Sequence, residues 1–260
     1  MAKSDVKMEN EETSGGIFHP LKELAQKIPS QKDAILVASF GRAGSTLIYD
    51  AVNEAMARSR FGISASAFQK ITRDVAMDLP NCELRSGVVY KTHDYPDSLA
   101  GRQKVRGIFL FGSAEEAALS VHAQKAARSE DWVKLHFEHL RRPYRYDDLL
   151  QEDVLGFRDQ CVAWMSFEGV PVLCLRYEGL WDNLDKISEF CGLEVRLPER
   201  RERAPKKVEP EVLERARAVY GPLDDELAKL PDCFVASPEF GSRLKLRDVA
   251  DTSSNTKESQ

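Results

Sequence analysis

A glycine-rich turn with one arginine and two hydroxyl side chains lies near the start of the chain. An apolar run over 34–39 precedes this turn, and a helical pattern follows it. The free N–H groups at the start of a helix favour an anion, and glycines let the backbone approach that anion closely. Arg42 adds a permanent positive charge. The sequence therefore predicts a phosphate-type binding site formed by Gly41, Arg42, Ala43, Gly44, Ser45 and Thr46.

This turn differs from the nucleotide-binding P-loop, G-x-x-x-x-G-K-[ST], in two places. Gly41 and Gly44 are only three residues apart, and Ser45 stands where the P-loop has its lysine. Without that lysine, ATP or GTP chemistry would lose a main source of charge stabilisation. A small-molecule kinase is therefore a disfavoured alternative. An ordinary strand-to-helix turn without function is a further alternative for this motif alone.

Polar side chains also follow three more short apolar runs, which predict strands over 87–91, 105–111 and 171–176. The first of these runs leads into His93, whose imidazole would titrate near neutral pH if unperturbed, so His93 is a candidate general base. Lys91 could hold developing negative charge. The alternatives are a solvated loop histidine and a solvated strand-end lysine. Ligands of parallel sheets bind beyond the carboxyl ends of the strands, where these residues would converge.

The order and spacing of these segments, from about 34 to 192, resemble the sulfotransferases that use 3′-phosphoadenosine 5′-phosphosulfate (PAPS). The turn is similar to their 5′-phosphosulfate loop, and the Lys-Thr-His sequence ending at His93 is similar to the segment of their catalytic base. The segment ending at Ser120 is similar to their 3′-phosphate segment. The resemblance implies an enzyme that transfers a sulfuryl group from PAPS to a hydroxyl or amine acceptor and releases adenosine 3′,5′-bisphosphate.

The resemblance also implies roles for single residues. His93 would remove the acceptor's proton, Arg42 would bind the bridging and sulfuryl oxygens, and Lys91 would help to hold developing charge. Asp94 would either orient the imidazole or serve as a turn residue. The acceptor, a small molecule or a carbohydrate, is expected against 128–160, a region that an amphipathic helix pair with a solvated face would also explain.

The donor's other end would be bound by residues later in the chain. Besides the turn residues, the resemblance implies that Ser120 contacts a phosphate and that Tyr177 contacts adenine, although a core aromatic is the alternative for Tyr177. A basic cluster over 200–207 includes Arg203, which position and charge match to the family's late 3′-phosphate loop. No metal is required, because protein groups hold the donor, and His122, His136 and His139 lack a partner ligand at convincing spacing.

One departure from the family is serious. Gly112 stands where the 3′-phosphate segment has an arginine. The loss removes a charge-assisted phosphate contact worth about 1.5–3 kcal/mol. Arg106 or the cluster over 200–207 could replace the contact, or the donor could differ. A non-catalytic or repurposed sulfotransferase-like binding protein is therefore the main alternative function.

Composition excludes several other classes. The chain has 260 residues, 42% of them hydrophobic, and a net charge of −5, so there is no general electrostatic case for nucleic acid. Its five cysteines are scattered singly, which favours a reducing compartment. No apolar run approaches about 18 residues, so the sequence predicts no membrane span. We expect a cytoplasmic protein, and composition leaves its oligomeric state open.

The alternation of short apolar runs and helical patterns predicts an α/β fold. We expect a three-layer, P-loop-like arrangement with a central, mainly parallel sheet flanked by helices. Polar tails over 1–16 and 249–260 are expected to be disordered, with the sulfotransferase-like domain over 17–248. Helices are predicted at about 18–28, 45–59, 65–78, 113–127, 180–191 and 209–219, and over most of 129–167 apart from a break at 141–146.

Overall fold

A central sheet of six strands organises the residues that the computed structural model describes, which are 30–62, 68–200 and 208–244. The strands are β1 (Ala34–Ser39), β2 (Arg73–Val75), β3 (Val89–Thr92), β4 (Val105–Phe111), β5 (Val172–Arg176) and β6 (Cys233–Val235). Their order is β2-β3-β1-β4-β5-β6, with β6 antiparallel to β5 and every other neighbouring pair parallel. The predicted α/β fold with a mainly parallel sheet is therefore confirmed.

Helices cover both faces of the sheet. They are α1 (Ser45–Phe61), α2 (Ala114–Ala127), α3 (Glu130–His139), α4 (Phe157–Met165), α5 (Leu184–Cys191), α6 (Pro210–Leu227) and α7 (Pro238–Ser242). Successive side chains of a strand point to opposite faces. Leu36 of β1 accordingly joins the core beneath α2, α3, α4 and α6, while Val37 joins the core beneath α1 and α5. This division explains why β1, with apolar residues on both faces, is completely buried.

Some predicted elements are wrong. Strand β2 forms within 65–78, where the sequence predicted a helix, and it pairs with β3 from Arg73↔Val89 to Val75↔Lys91. The region 129–167 is less helical than predicted, because turns, irregular backbone and the short 3-10 helix Tyr146–Asp148 separate α3 from α4. The predicted helix at 18–28 and both predicted tails lie outside the described residues.

The parallel strands end at one edge of the sheet, which positions the candidate site. The turn after β1, His93 after β3, Gly112 after β4 and Tyr177 after β5 all follow carboxyl ends of neighbouring parallel strands. Since β1 lies between β3 and β4, its turn lies between the other loops. This edge is where open parallel sheets bind their ligands.

Candidate active site

The turn between β1 and α1 has the backbone of an anion-binding loop. Gly41 and Gly44 have φ angles of +81° and +86°, and Arg42 itself lies at +54°. A non-glycine residue rarely adopts this left-handed conformation, so the turn holds Arg42 in a strained position. Gly44 is the N-cap residue of α1 and offers no side chain to the first-turn N–H groups. The N–H of Leu47 donates to the backbone oxygen of Gly44 at 3.1 Å, and the first turn of α1 has no side-chain cap from residue 44, which suits an anion at this helix start.

Lys91 adds a buried positive charge beside this helix start. Its Nζ donates a hydrogen bond of 2.8 Å to Oγ1 of Thr46 in the first turn of α1. The pKa of Lys91 is lowered from 10.5 to about 8, mainly by burial and to a smaller extent by the positive charges of Arg42 and Arg73. At neutral pH the ammonium group is still mainly protonated, but it is poorly solvated and gains from a nearby anion.

Arg42 is tied to both helices that follow β4. Its Nε donates to Oγ of Ser120 on α2 at 2.8 Å, and its guanidinium carbon lies 5.8 Å from the ring centre of Trp132 on α3. These contacts bring together the turn and Ser120, two predicted site elements that are far apart in sequence. Arg42 remains exposed, and its contacts with the neighbouring helices orient the guanidinium.

His93 is a buried, neutral imidazole. Its Nδ1 lies 2.9 Å from the backbone oxygen of Ser39, so Nδ1–H is the donor and Nε2 is left as the acceptor. The pKa of His93 is lowered from 6.5 to about 4, mainly by burial and then by the neighbouring positive charge of Lys91. A neutral imidazole with a defined tautomer can accept a proton at Nε2 without first losing one.

Asp94 does not orient this imidazole. Its carboxylate accepts hydrogen bonds from Arg141 at 2.8 and 3.2 Å and from the N–H of Leu79 at 3.0 Å. The backbone oxygen of His93 accepts from Nε2 of Gln160 at 2.6 Å, and that of Asp94 accepts from Nε1 of Trp164 at 3.0 Å. Asp94 is therefore an anchor of the segment that carries His93.

His136 is a site residue that sequence reasoning missed. Its ring stacks on Trp132 with centroids 5.2 Å apart and meets the His93 ring edge-on at 6.2 Å. A Cβ atom on Gly41 would lie 2.7 Å from Cε1 of His136, so the ring fits only because residue 41 is glycine. Burial lowers the pKa of His136 well below its usual value. The sequence signal for it was its position four residues after Trp132 on an amphipathic helix.

The chain matches no protein-family model and no curated protein. What it does must therefore be inferred from its own residues.

The predicted adenine contact lies farther along the same sheet edge. Tyr177 meets Trp181 edge-to-face with ring centroids 5.8 Å apart, and the guanidinium of Arg200 lies 5.5 Å from the centre of the Trp181 ring. The basic cluster over 200–207 thus begins close to Tyr177. Arg203, the cluster residue predicted to bind the donor, lies outside the described residues.

The position of the missing arginine faces a small cavity. A cavity of about 270 Å³ is lined by Gly112, Ser113, Arg176, Glu178, Asp224 and Leu227. The Asp224 carboxylate accepts from the backbone N–H of Ala114 at 2.6 Å and from that of Glu115 at 3.2 Å, so it caps the start of α2. Nε of Arg176 donates to Asp232 at 2.6 Å. The cavity is therefore lined by the carboxylates of Glu178 and Asp224 and by one arginine, Arg176, which already donates to Asp232.

Arg106 cannot replace the missing contact. It lies at the start of β4, at the opposite edge of the sheet from Gly112, where Nε donates to Asp33 at 2.7 Å. Its Nη1 donates to the backbone oxygen of Phe190 at 3.1 Å. This candidate for replacing the contact is therefore wrong.

Within residues 30–62, 68–200 and 208–244, no group of three or more His, Cys, Asp or Glu side chains is arranged to hold a metal ion. None of the helices in those ranges has both the length and the apolar character needed to cross a bilayer.

Proposed function

We propose that the chain is a sulfotransferase that moves a sulfuryl group from PAPS to a hydroxyl or amine acceptor on a P-loop-like scaffold. The observation that carries the proposal is the arrangement of Arg42, Lys91 and His93 around one helix start. Two cations and a set of N–H groups would bind an anionic group, and a neutral base lies beside them. Group transfer from a phosphosulfate to a protic acceptor needs these two functions side by side.

The residues at this end of the site fit a phosphosulfate. The first-turn N–H groups of α1 and the hydroxyls of Ser45 and Thr46 would hold the 5′-phosphate. Lys91, fixed by its hydrogen bond to Thr46, would compensate charge on that phosphate. Arg42 would bind the oxygens of the leaving group through its planar set of donors. When bound, PAPS supplies an already activated sulfuryl group.

His93 supplies the proton transfer. Its Nε2 accepts the acceptor's proton as the acceptor oxygen or nitrogen forms its bond to sulfur, and the electron pair of the broken S–O bond leaves with the phosphate. The hydrogen bond from Nδ1–H to Ser39 keeps the ring in the correct tautomer throughout. An imidazole with a pKa of about 4 is a weak base, and a bound anionic donor would raise that pKa by favouring the charged form.

The pH dependence of the reaction should report both groups. We expect kcat/KM for the donor to rise with pH through about 4, where free His93 loses its proton. It should fall again above about 8, where free Lys91 loses its charge. Both limbs should lie at higher pH in the kcat profile, because the anionic donor raises both pKa values. If the alkaline limb persists near the same pH in Lys91→Met, it belongs to another group.

The residues near Gly112 fit the 3′-phosphate of the donor less well, because no arginine stands at position 112. An arginine there should improve nucleotide binding. Gly112→Arg should raise the affinity for adenosine 3′,5′-bisphosphate over AMP by about tenfold, because a charged hydrogen bond contributes about 1.5–3 kcal/mol. The position has room, since a Cβ there would lie 3.6 Å from Cβ of Tyr177. Calorimetric titration of both nucleotides checks this result. Gly112→Gln is the uncharged control, and an equal gain for AMP would contradict a 3′-phosphate contact.

Thermal unfolding with nucleotides tests the proposed function. Adenosine 3′,5′-bisphosphate, AMP and ATP are compared side by side, and a ligand at 100 times its Kd should stabilise the fold by about 2.7 kcal/mol. Stabilisation by the bisphosphate supports a donor site. Stabilisation by ATP alone, or by none of the three, contradicts it. Transfer from radiolabelled PAPS to benzyl alcohol, benzylamine, phenol and glucosamine then tests the chemistry.

A repurposed binding protein is the second candidate function, and the cavity beside Gly112 favours it. The carboxylates of Glu178 and Asp224 line that cavity where an arginine would serve a 3′-phosphate. Nucleotide binding without transfer to any acceptor of the panel would support this candidate.

We also propose that the reaction takes place in a reducing compartment, the cytoplasm, because all five cysteines are unpaired.

A further inference from the structure

The His136 side chain is buried with an unused polar atom. It is 6% exposed, and among the described residues its Nε2 has no hydrogen-bond partner. A buried donor or acceptor without a partner destabilises the fold, so native structures rarely keep one without a reason. His136 lies in α3, between the turn and Trp132, and not in a separate part of the core.

The unused nitrogen lies against the site already described. Nε2 of His136 would be 3.1 Å from a Cβ on Gly41, so it borders the turn that carries Arg42. The ring centres of His136 and His93 are 6.2 Å apart. Since an N–H···O bond spans about 2.7–3.2 Å, one oxygen atom between the two rings could reach both.

We propose that His136 binds the acceptor by donating a hydrogen bond from Nε2–H to its hydroxyl oxygen, and that the natural acceptor is therefore an alcohol and not an amine. This inference rests on the proposed function. The same oxygen donates its own proton to Nε2 of His93, so one hydroxyl satisfies both imidazoles.

A hydroxyl suits this pair of rings better than an aliphatic amine does. A hydroxyl has one O–H to donate and lone pairs to accept with. An aliphatic amine is protonated at neutral pH, as a lysine side chain is, and then has donors only. It would add a positive charge beside Arg42 and Lys91, and it has no lone pair with which to accept the proposed hydrogen bond from Nε2–H of His136.

Substitution at His136 tests the proposal by kinetics with the benzyl alcohol probe. His136→Phe keeps an aromatic ring against Trp132 and Gly41 but removes the donor, and we expect kcat/KM for benzyl alcohol to fall at least about tenfold, with the affinity for adenosine 3′,5′-bisphosphate unchanged. His136→Gln keeps an N–H donor and should recover a large part of the loss. His122→Phe, a histidine stacked on Tyr146, is the matched control. Equal losses in the Phe and Gln variants would overturn the proposal.

Nuclear magnetic resonance of the unsubstituted chain gives a second readout that does not depend on a folded variant. Ring-nitrogen spectra are recorded while benzyl alcohol or benzylamine is added, with and without adenosine 3′,5′-bisphosphate. We expect the Nε2 signal of His136 to move with the alcohol and not with the amine. No movement with the alcohol, or equal movement with both, overturns the proposal. Movement without any nucleotide binding would keep the hydroxyl contact and refute only the transfer reaction.

Discussion

His93→Asn is expected to reduce sulfuryl transfer by about 10²–10⁴-fold while leaving the affinity for adenosine 3′,5′-bisphosphate nearly unchanged. The reason is that the two ring nitrogens of His93 have different roles. Nδ1–H is used for the structural bond to Ser39, so the acceptor's proton must go to Nε2. Asparagine can keep an N–H donor near the Nδ1 position but has no counterpart of Nε2. Steady-state kinetics with PAPS and the best acceptor of the panel measure the loss.

The control for this variant is His122→Asn, which changes the same residue type outside the site. His122 stacks on Tyr146 with ring centroids 6.1 Å apart and is not part of the candidate site. The His122→Asn variant should therefore retain the full rate of sulfuryl transfer. A His93→Asn protein that binds the bisphosphate and turns over at the original rate would remove His93 from the mechanism. A variant that neither binds nor turns over would show that the imidazole is needed for the fold, since His93 is buried.

The candidate turn over 40–46 could be predicted from the sequence because its residues are consecutive in the chain. Residues 40–46 follow a buried strand and begin a helix, and local backbone rules are enough to predict an anion site there. His93 could be placed for a similar reason, since parallel strands put their carboxyl ends at one edge. The pKa shifts of His93 and Lys91 could not be predicted, because they arise from burial by segments distant in sequence.

The errors have equally physical causes. Strand β2 has only three residues and lies at the edge of the sheet, so it carries almost no periodic signal of its own. The charge of Arg106 suggests a place near the donor, but Arg106 lies at the start of β4, at the opposite end of the strand from Gly112. The sequence alone suggests no role for His136 beyond that of a metal ligand, because its contact with Gly41 depends on how α3 packs against the turn.

Arg42 should be the residue on which donor binding and turnover both depend. Arg42→Gln is expected to lower kcat/KM by about 10²–10³-fold, the usual loss when one group that stabilises developing negative charge is removed. Arg42→Lys should retain more activity than Arg42→Gln. Both variants place a non-glycine residue at the same left-handed φ of +54°, so backbone strain cancels when they are compared. The difference in kcat/KM between the two variants therefore measures what a positive charge at residue 42 contributes.

Arg128→Gln is the matched control for this charge. The guanidinium carbon of Arg128 lies 5.5 Å from the Trp132 ring centre and that of Arg42 lies 5.8 Å from it, so both cations contact the same indole. Only Arg42 belongs to the turn and donates to Ser120. Isothermal titration with adenosine 3′,5′-bisphosphate should show a weaker Kd for Arg42→Gln and an unchanged Kd for Arg128→Gln. Equal weakening in both variants would mean that general positive charge attracts the nucleotide, and the turn would then lose its assigned role.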